Sequence, residues 1–181
     1  MSTSAQDKPD SRLSCQLHTA CRDAAQGLAT HTHVPDTQGQ SFQGMRSDHE
    51  GVSLLVVAHA PLATALRDLA QHVFGPNTPV SAVDVLPGAC VQDSSEPLLN
   101  QIKALDQGAG VLIMTDLIGA SPCNVCASAA RLAREAGIGC EVITGVNAGM
   151  ILRAIGYRHL DLKALTLQVI EGAAKAVMRV D

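Results

Sequence analysis

The chain has 181 residues, of which 46% are hydrophobic and only 2% aromatic, and it carries a net charge of −4. This length fits one domain with a tail, and the core must be built from aliphatic side chains. The acidic charge and the scarcity of aromatic rings count against a surface for nucleic acid or anionic lipid. We see no secretory signal and no apolar run near the roughly 20 residues of a membrane helix. The six cysteines are too sparse for a disulfide framework, so we expect a cytoplasmic protein.

Residues 1–50 differ in composition from the rest of the chain. They are rich in Ser, Thr, Gln, Asp and His, and their apolar residues follow no sustained period. Such a segment buries too little apolar surface to offset the entropy of ordering it. We therefore expect a disordered extension, or a mis-assigned start with translation beginning at Met45. The predicted folded domain covers residues 51–181.

From Gly51 onward the pattern alternates between strands and helices. Val52–Val57 is almost continuously apolar, which is typical of a strand buried on both faces of a parallel sheet. Further strands are predicted at Val80–Leu86, Val111–Thr115 and Cys140–Thr144. Helices are predicted to begin at Pro61, Pro97, Pro122 and Ala148, and Asp161 can cap a last helix. The order predicts an α/β fold, a three-layer αβα sandwich around a mainly parallel sheet. Residues Lys175–Val180 are compatible with a helix or with a short strand.

Two predicted strands end in a polar residue, the first at His59 and the third just before Asp116. If the sheet order is 2-1-3-4, these strands are neighbours and their carboxyl ends form the ligand-binding crevice of the sheet. A carboxylate that accepts one ring N–H leaves the other imidazole nitrogen with an exposed lone pair. The pair then provides a nucleophile or a general base. The alternative is a solvated histidine beside an aspartate that caps a helix.

The segment after Asp116 contains the small residues Gly119, Ala120 and Ser121, followed by Pro122. Small residues let the backbone approach a ligand, and Ser121 can act as a helix N-cap or donate its hydroxyl to an anion. The chain has neither a G-x-x-x-x-G-K-[ST] motif nor a G-x-G-x-x-G after a strand, which argues against the usual nucleotide sites. The histidines do not stand at metal-ligand spacings. We expect no metal and no cofactor.

These segments resemble a known family. Leu54–Ala60 and Asp116–Asn124 look like the two signatures of mannose-type enzyme IIA domains, which belong to the bacterial phosphoenolpyruvate-dependent sugar phosphotransferase system (PTS). Gly145-Val146-Asn147, followed by Met150, looks like a third family segment. The resemblance covers residues 51–181 in the right order and spacing, and residues 1–50 have no counterpart in it.

The resemblance implies a phosphohistidine carrier. His59 would accept a phosphoryl group from the phosphocarrier HPr at its tele nitrogen, Nε2, and pass it to a IIB domain or protein. Asp116 would orient the ring, while Ser121, Gly119 and Ala120 would hold the phosphoryl oxygens. The family's sheet order is 2-1-3-4, and its members are homodimers that exchange an antiparallel C-terminal strand. Contact with a membrane would come only through IIC and IID partners.

The sequence departs from the family pattern close to the histidine. Many relatives have Thr-His-Gly where this chain has Ala58-His59-Ala60, and Ala120 replaces a Gly often found in the aspartate loop. The nucleophile and its partner are retained, so the departures bear on transfer rate and partner identity. One alternative function is a stand-alone regulatory module whose phosphorylation controls partner binding. A less favoured alternative is a thiol redox protein that uses Cys123 and Cys126.

Overall fold

The structure is a computed structural model that describes residues 51–180, so the predictions for residues 1–50 and for a start at Met45 lie outside the described residues. Strands and helices alternate until the fourth strand, after which two helices follow. The strands are β1 (Ser53–His59), β2 (Val80–Val85), β3 (Val111–Thr115) and β4 (Cys140–Ile143). The helices are α1 (Leu62–Phe74), α2 (Val91–Leu105), α3 (Ser121–Glu135), α4 (Ala148–Tyr157) and α5 (Leu162–Ala176).

The four strands form one parallel sheet in the order β2-β1-β3-β4. The predicted α/β class and the predicted strand order are both confirmed. The order reverses between β1 and β3, whose register pairs Val57 with Thr115. On the other side of β1, His59 pairs with Val85. The carboxyl ends of β2, β1 and β3 therefore meet at one edge of the sheet.

The sheet is buried on both faces, which explains why β1 and β3 are apolar without alternation. Leu54 and Val56 of β1 face the layer formed by α1, α4 and α5. Leu55 and Val57 face the opposite layer, formed by α2 and α3. All five residues of β3 are buried in the same way. These two aliphatic clusters supply the core that the composition predicted.

The prediction that a helix begins at Pro97 was wrong. Helix α2 begins at Val91, and Pro97 lies inside it. Proline lacks an N–H and removes one helical hydrogen bond, which is why it usually marks a helix start. The first turn forms nevertheless, because the Ser94 N–H donates to the Cys90 carbonyl and the Ser95 hydroxyl donates to the Val91 carbonyl.

The C-terminal segment is helical only at its start, and the strand alternative is not observed among residues 175–180. Lys175 belongs to α5, which ends at Ala176, so the helical interpretation is correct for these two residues. Val177–Val180 has no regular secondary structure, and Val177, Met178 and Val180 are exposed. Exchange of this segment as a strand in a dimer remains a prediction. Among residues 51–180, no helix is long and apolar enough to cross a membrane.

Candidate functional site

His59 and Asp116 lie side by side at the carboxyl edge of the sheet. His59 is the last residue of β1, and Asp116 directly follows β3. Because β1 and β3 are adjacent parallel strands, their ends lie about 4.8 Å apart. The structure thus brings together the two residues that the sequence paired across the topological switch point.

One carboxylate oxygen holds both the backbone and the ring of His59. Asp116 Oδ2 accepts a hydrogen bond from the His59 backbone N–H at 3.0 Å and lies 2.7 Å from the ring Nδ1. An ionised carboxylate has no proton to donate, so Nδ1 is the protonated ring nitrogen. In the neutral imidazole, Nε2 then carries the lone pair. The His59 side chain is 43% exposed whereas that of Asp116 is only 9% exposed, so a reactant approaches the ring and not the carboxylate.

The charge of Asp116 is stabilised by its hydrogen bonds. Burial by itself raises the pKa of the carboxyl, but the hydrogen bonds from the His59 backbone and ring and from the Leu117 N–H outweigh it. The net result is a pKa below the ordinary value of 3.8. Leu117 donates to the second oxygen, Oδ1, at 2.8 Å. Asp116 is therefore an anion at neutral pH, with both of its oxygens engaged.

The third family-like segment fixes the backbone on which Asp116 stands. The Gly145 N–H donates to the Asp116 carbonyl at 2.8 Å, and the Val146 N–H donates to the Thr115 carbonyl at 2.9 Å. Asn147 then caps α4, its side chain accepting a hydrogen bond from the Met150 N–H. The β4–α4 loop thus continues the backbone contacts of the sheet beyond the end of β3 and limits the movement of Asp116.

Gly119, Ala120 and Ser121 form the approach to α3 on the same edge. Ala120 occupies the N-cap position and Ser121 is the first helical residue, so the N-cap role considered for Ser121 was wrong. The Ser121 hydroxyl makes no hydrogen bond to any of residues 51–180. Gly119 has φ +77°, a conformation that glycine adopts without strain. The first N–H groups of a helix have no partner within the helix, so this turn favours an anion.

Asp84 is a structural residue of this edge that the sequence interpretation missed. Its Oδ1 accepts hydrogen bonds from the N–H groups of Ala63 at 2.9 Å and Thr64 at 3.2 Å, in the first turn of α1. Asp84, which lies on the neighbouring strand β2, therefore caps α1, the helix that follows His59. The available signal was a charged residue within the otherwise largely apolar strand Val80–Val85.

The two cysteines of α3 have different surroundings. Cys123 is partly exposed, whereas Cys126 is buried in the core cluster between the sheet and helices α2 and α3. Burial raises the pKa of the Cys126 thiol to about 12. Cys126 is therefore not an accessible thiolate, and of the two only Cys123 is exposed to a reactant. Among residues 51–180, no group of three or more His, Cys, Asp or Glu residues is placed to hold a metal ion.

Comparison with known proteins gives a family match over most of the residues that the structure describes. Residues 53–169 match the EIIA-man family, described as PTS system fructose IIA component. The fructose-specific EIIA component of the PTS from Bacillus subtilis is 27% identical over 115 residues, which cover 63% of this chain and 76% of that protein. The mannose-specific EIIAB component from Escherichia coli K12 is 29% identical over 131 residues, which cover 70% of this chain but only 39% of that protein.

The transcriptional regulatory protein LevR of Bacillus subtilis is 28% identical over 122 residues, which cover 65% of this chain and 12% of LevR. Solved structures share the fold. The mannose/sorbose-specific IIA subunit from Enterococcus faecalis superposes with a TM-score of 0.63 at 21% identity, covering 72% of this chain and 96% of that one. The EIIA component from Streptococcus agalactiae superposes with a TM-score of 0.62 at 21% identity, covering 71% of this chain and 96% of that one.

Proposed function

The chain belongs to the EIIA-man family of PTS IIA components, and from this premise we propose that it is a cytoplasmic phosphohistidine carrier with His59 as the phosphoryl acceptor. The family match confirms the resemblance seen in the three sequence segments. The observation that carries the proposal is the bond of 2.7 Å between His59 Nδ1 and Asp116 Oδ2. In the neutral ring it leaves the lone pair on Nε2.

Transfer requires the lone pair of Nε2 to attack the phosphorus atom of a phosphorylated donor. As the new N–P bond forms, the P–N bond in the donor breaks. The donor ring, which carries a proton on its other nitrogen, takes the electrons of that bond and leaves as a neutral imidazole. The His59 ring becomes positively charged because its Nδ1 keeps its proton. Asp116 lies against that N–H, so its negative charge stabilises the charged ring. The carboxylate also fixes the ring orientation that an in-line displacement needs.

The phosphoryl oxygens require donors of their own, and the start of α3 is the proposed source. The Ser121 hydroxyl is uncommitted among residues 51–180, and the turn through Gly119 and Ala120 has no bulky side chain over the backbone. N–H groups at a helix start favour negative charge at the oxygens. We assign Ser121, Gly119 and Ala120 to phosphoryl binding, a role that requires no cofactor or metal.

The partners follow from the same role. Phospho-HPr is the proposed donor and a IIB domain or protein the proposed acceptor, with a homodimer as the working form. Membrane contact would arise only through IIC and IID partners. The chain spans only 39% of the mannose-specific EIIAB relative, so the partners of that longer protein are carried over only as proposals.

A phosphotransfer assay tests the function directly. Phosphoenolpyruvate, enzyme I and HPr together should label the protein with phosphate that is labile in acid and stable in base. His59→Ala should lose the label completely, whereas His72→Ala, which changes a histidine at the other end of α1, should retain it. Label that persists in His59→Ala would refute the assignment of the acceptor.

The regulatory module is a second candidate, favoured by the similarity to the transcriptional regulatory protein LevR. In this role the phosphoryl group on His59 adds negative charge to the edge of the sheet and changes which partner binds. The two functions differ in the fate of the label. Rapid passage of the phosphoryl group to a mannose-type IIB protein supports a carrier, while a stable label that alters binding to a third protein supports regulation.

A further inference from the structure

Two helices begin at the edge of the sheet that carries His59. Helix α1 begins at Leu62, shortly after His59, and α3 begins at Ser121, shortly after Asp116. The first N–H groups of a helix have no partner within the helix, so they attract negative charge. Either helix start is therefore able to stabilise a phosphoryl group on His59, but the N–H groups of the two helices differ in whether they are already bonded.

The start of α1 is already occupied by a carboxylate of the protein itself. Asp84 Oδ1 accepts hydrogen bonds from the N–H groups of Ala63 at 2.9 Å and Thr64 at 3.2 Å. The next N–H along the chain, that of Ala65, donates to the Pro61 carbonyl, and Pro61 itself has no N–H. The positive end of α1 is therefore matched by the negative charge of Asp84, and it offers little to a second anion.

The start of α3 has no such carboxylate. No side-chain hydrogen bond caps this helix, and the Ser121 hydroxyl makes no hydrogen bond to any of residues 51–180. Basic side chains are missing from the loops that follow the four strands, which are residues 60–61, 86–90, 116–120 and 144–147. Negative charge added at this edge is thus met by the start of α3 and not by a Lys or Arg of these loops.

The Asp84 carboxylate lies close to His59 as well as to α1. On β2, Asp84 pairs with Ala58, and the next residue, Val85, pairs with His59. With neighbouring strands about 4.8 Å apart, the Cα atoms of Asp84 and His59 are about 6 Å apart. Asp84 is half-buried, so its charge is screened less than that of a fully exposed carboxylate. This charge therefore acts on any charged group that the His59 ring carries.

We propose that Asp84 sets the free energy of the phosphoryl group on His59, because it prevents the start of α1 from stabilising that group and so keeps the group transferable. The inference rests on the proposed function. In the exchange with phospho-HPr, the bond between phosphorus and Nε2 forms as the N–P bond of the donor breaks. The phosphoryl group brings roughly −1.5 to −2 charge, so the phosphorylated ring is more negative than the free ring even though Nδ1 keeps its proton. The Asp84 carboxylate opposes that added charge, and onward transfer does not have to overcome the attraction of a second helix start.

The test measures an equilibrium and not a rate. Phospho-HPr is mixed with the free protein, and HPr with the phosphorylated protein, until both mixtures reach the same composition at low ionic strength. Asp84→Asn removes the charge but keeps an oxygen that can accept from Ala63 and Thr64. We expect this variant to shift the equilibrium constant about fivefold toward the phosphorylated protein, and the shift to become smaller in high salt. A residue that only caps α1 would not move this constant.

Asp161→Asn is the matched control. Asp161 also caps a helix, because its Oδ1 accepts a hydrogen bond from the Ala164 N–H at 2.9 Å at the start of α5. This helix begins at the opposite edge of the sheet, where the Leu162 side chain lies against Gly110, just before β3. Its variant loses the same charge far from His59, so its equilibrium constant should equal that of the wild type.

A second variant, Asp84→Ala, removes both the charge and the acceptor oxygen. Its equilibrium constant should shift toward the phosphorylated protein at least as far as that of Asp84→Asn. An unchanged constant in Asp84→Asn, or an equal shift in Asp84→Asn and Asp161→Asn, would overturn the role of Asp84 while leaving the carrier function intact. Failure of phospho-HPr to label His59 in the wild type would instead refute the proposed function, and this inference with it.

Discussion

A single oxygen of Asp116 binds His59 twice, accepting from its backbone N–H at 3.0 Å and lying 2.7 Å from its ring Nδ1. The backbone bond ties the last residue of β1 to the residue that follows β3, and the ring bond sets the tautomer and the direction of Nε2. One side chain therefore controls both the position and the chemical state of the proposed nucleophile.

Asp116→Asn should slow phosphoryl transfer to His59 by about 10²-fold. The two carboxylate oxygens accept hydrogen bonds from His59 and from the Leu117 N–H, and a carboxamide has only one oxygen that can accept. Single-turnover labelling by phospho-HPr measures the rate. The final extent of labelling should stay near that of the wild type, since Nε2 is still present. A rate equal to that of the wild type would show that Asp116 only holds backbone N–H groups in place and does not contribute to transfer.

The contribution of Asp116 to stability should depend on pH. Its folded-state pKa lies below the ordinary value of 3.8, so the stabilisation is complete above that value and is lost as the pH falls through the folded-state pKa. We expect the difference in unfolding free energy between wild type and Asp116→Asn to be constant near neutral pH and to shrink below a pH of about 4. Urea titrations at several pH values measure it. A difference that grows in acid would contradict the sign of the shift.

Asp84→Ala should destabilise the domain by about 1 kcal/mol, because the N–H groups of Ala63 and Thr64 lose their acceptor at the start of α1. Asp84→Asn is the matched control, since asparagine keeps an acceptor oxygen and should retain most of the stability. Urea unfolding monitored by circular dichroism gives both values. Equal losses in the two variants would show that the charge of Asp84 matters and that its role as an acceptor does not.

Substitutions at Gly108 and Gly110 distinguish the cost of backbone strain from the cost of a steric clash. Both have positive φ, at +88° and +95°, so alanine is strained at either position. A Cβ at Gly110 would also lie 2.8 Å from the Gly139 carbonyl oxygen, while at Gly108 it would meet nothing within 4 Å. We expect Gly108→Ala to cost about 1 kcal/mol and Gly110→Ala distinctly more, as measured by thermal unfolding. Similar losses would mean that the strands adjust to the contact.

Cys126 should be unreactive in the folded protein, because burial raises its pKa to about 12. Iodoacetamide at neutral pH, followed by peptide mass mapping, should leave Cys126 unmodified until the protein is unfolded with urea. The same experiment after mild oxidation should find no disulfide between Cys123 and Cys126. Finding that disulfide in the native protein would restore the redox interpretation.

The part of the site predicted from sequence rests on two strands that end in polar residues. Strand type and strand end are visible in the sequence, because burial on both faces demands a continuous apolar run and the run stops at His59 and before Asp116. Given the strand order, these facts place both residues on one edge. The family resemblance supplied that order, and the sheet confirms it.

The errors have a common cause. Pro97 suggested a helix start, yet α2 begins at Val91, because the first turn is stabilised by Ser94 and Ser95 and by packing that no single residue type reveals. The role of Asp84 was missed because its partners, Ala63 and Thr64, lie on another element. Sequence patterns show which secondary structure a short segment prefers. The start of α2 and the role of Asp84 depend instead on contacts between different helices and strands.

By itself, the sequence determined the class of fold and the strand ends at His59 and before Asp116, because hydrophobic periodicity follows directly from burial. Only the tertiary structure decided that Asp116 Oδ2 binds Nδ1 and that Asp84 caps α1. Hydrogen bonds are sensitive to distance and angle on a scale of tenths of an ångström. That precision is set by how separate elements pack, which no local pattern in the chain specifies.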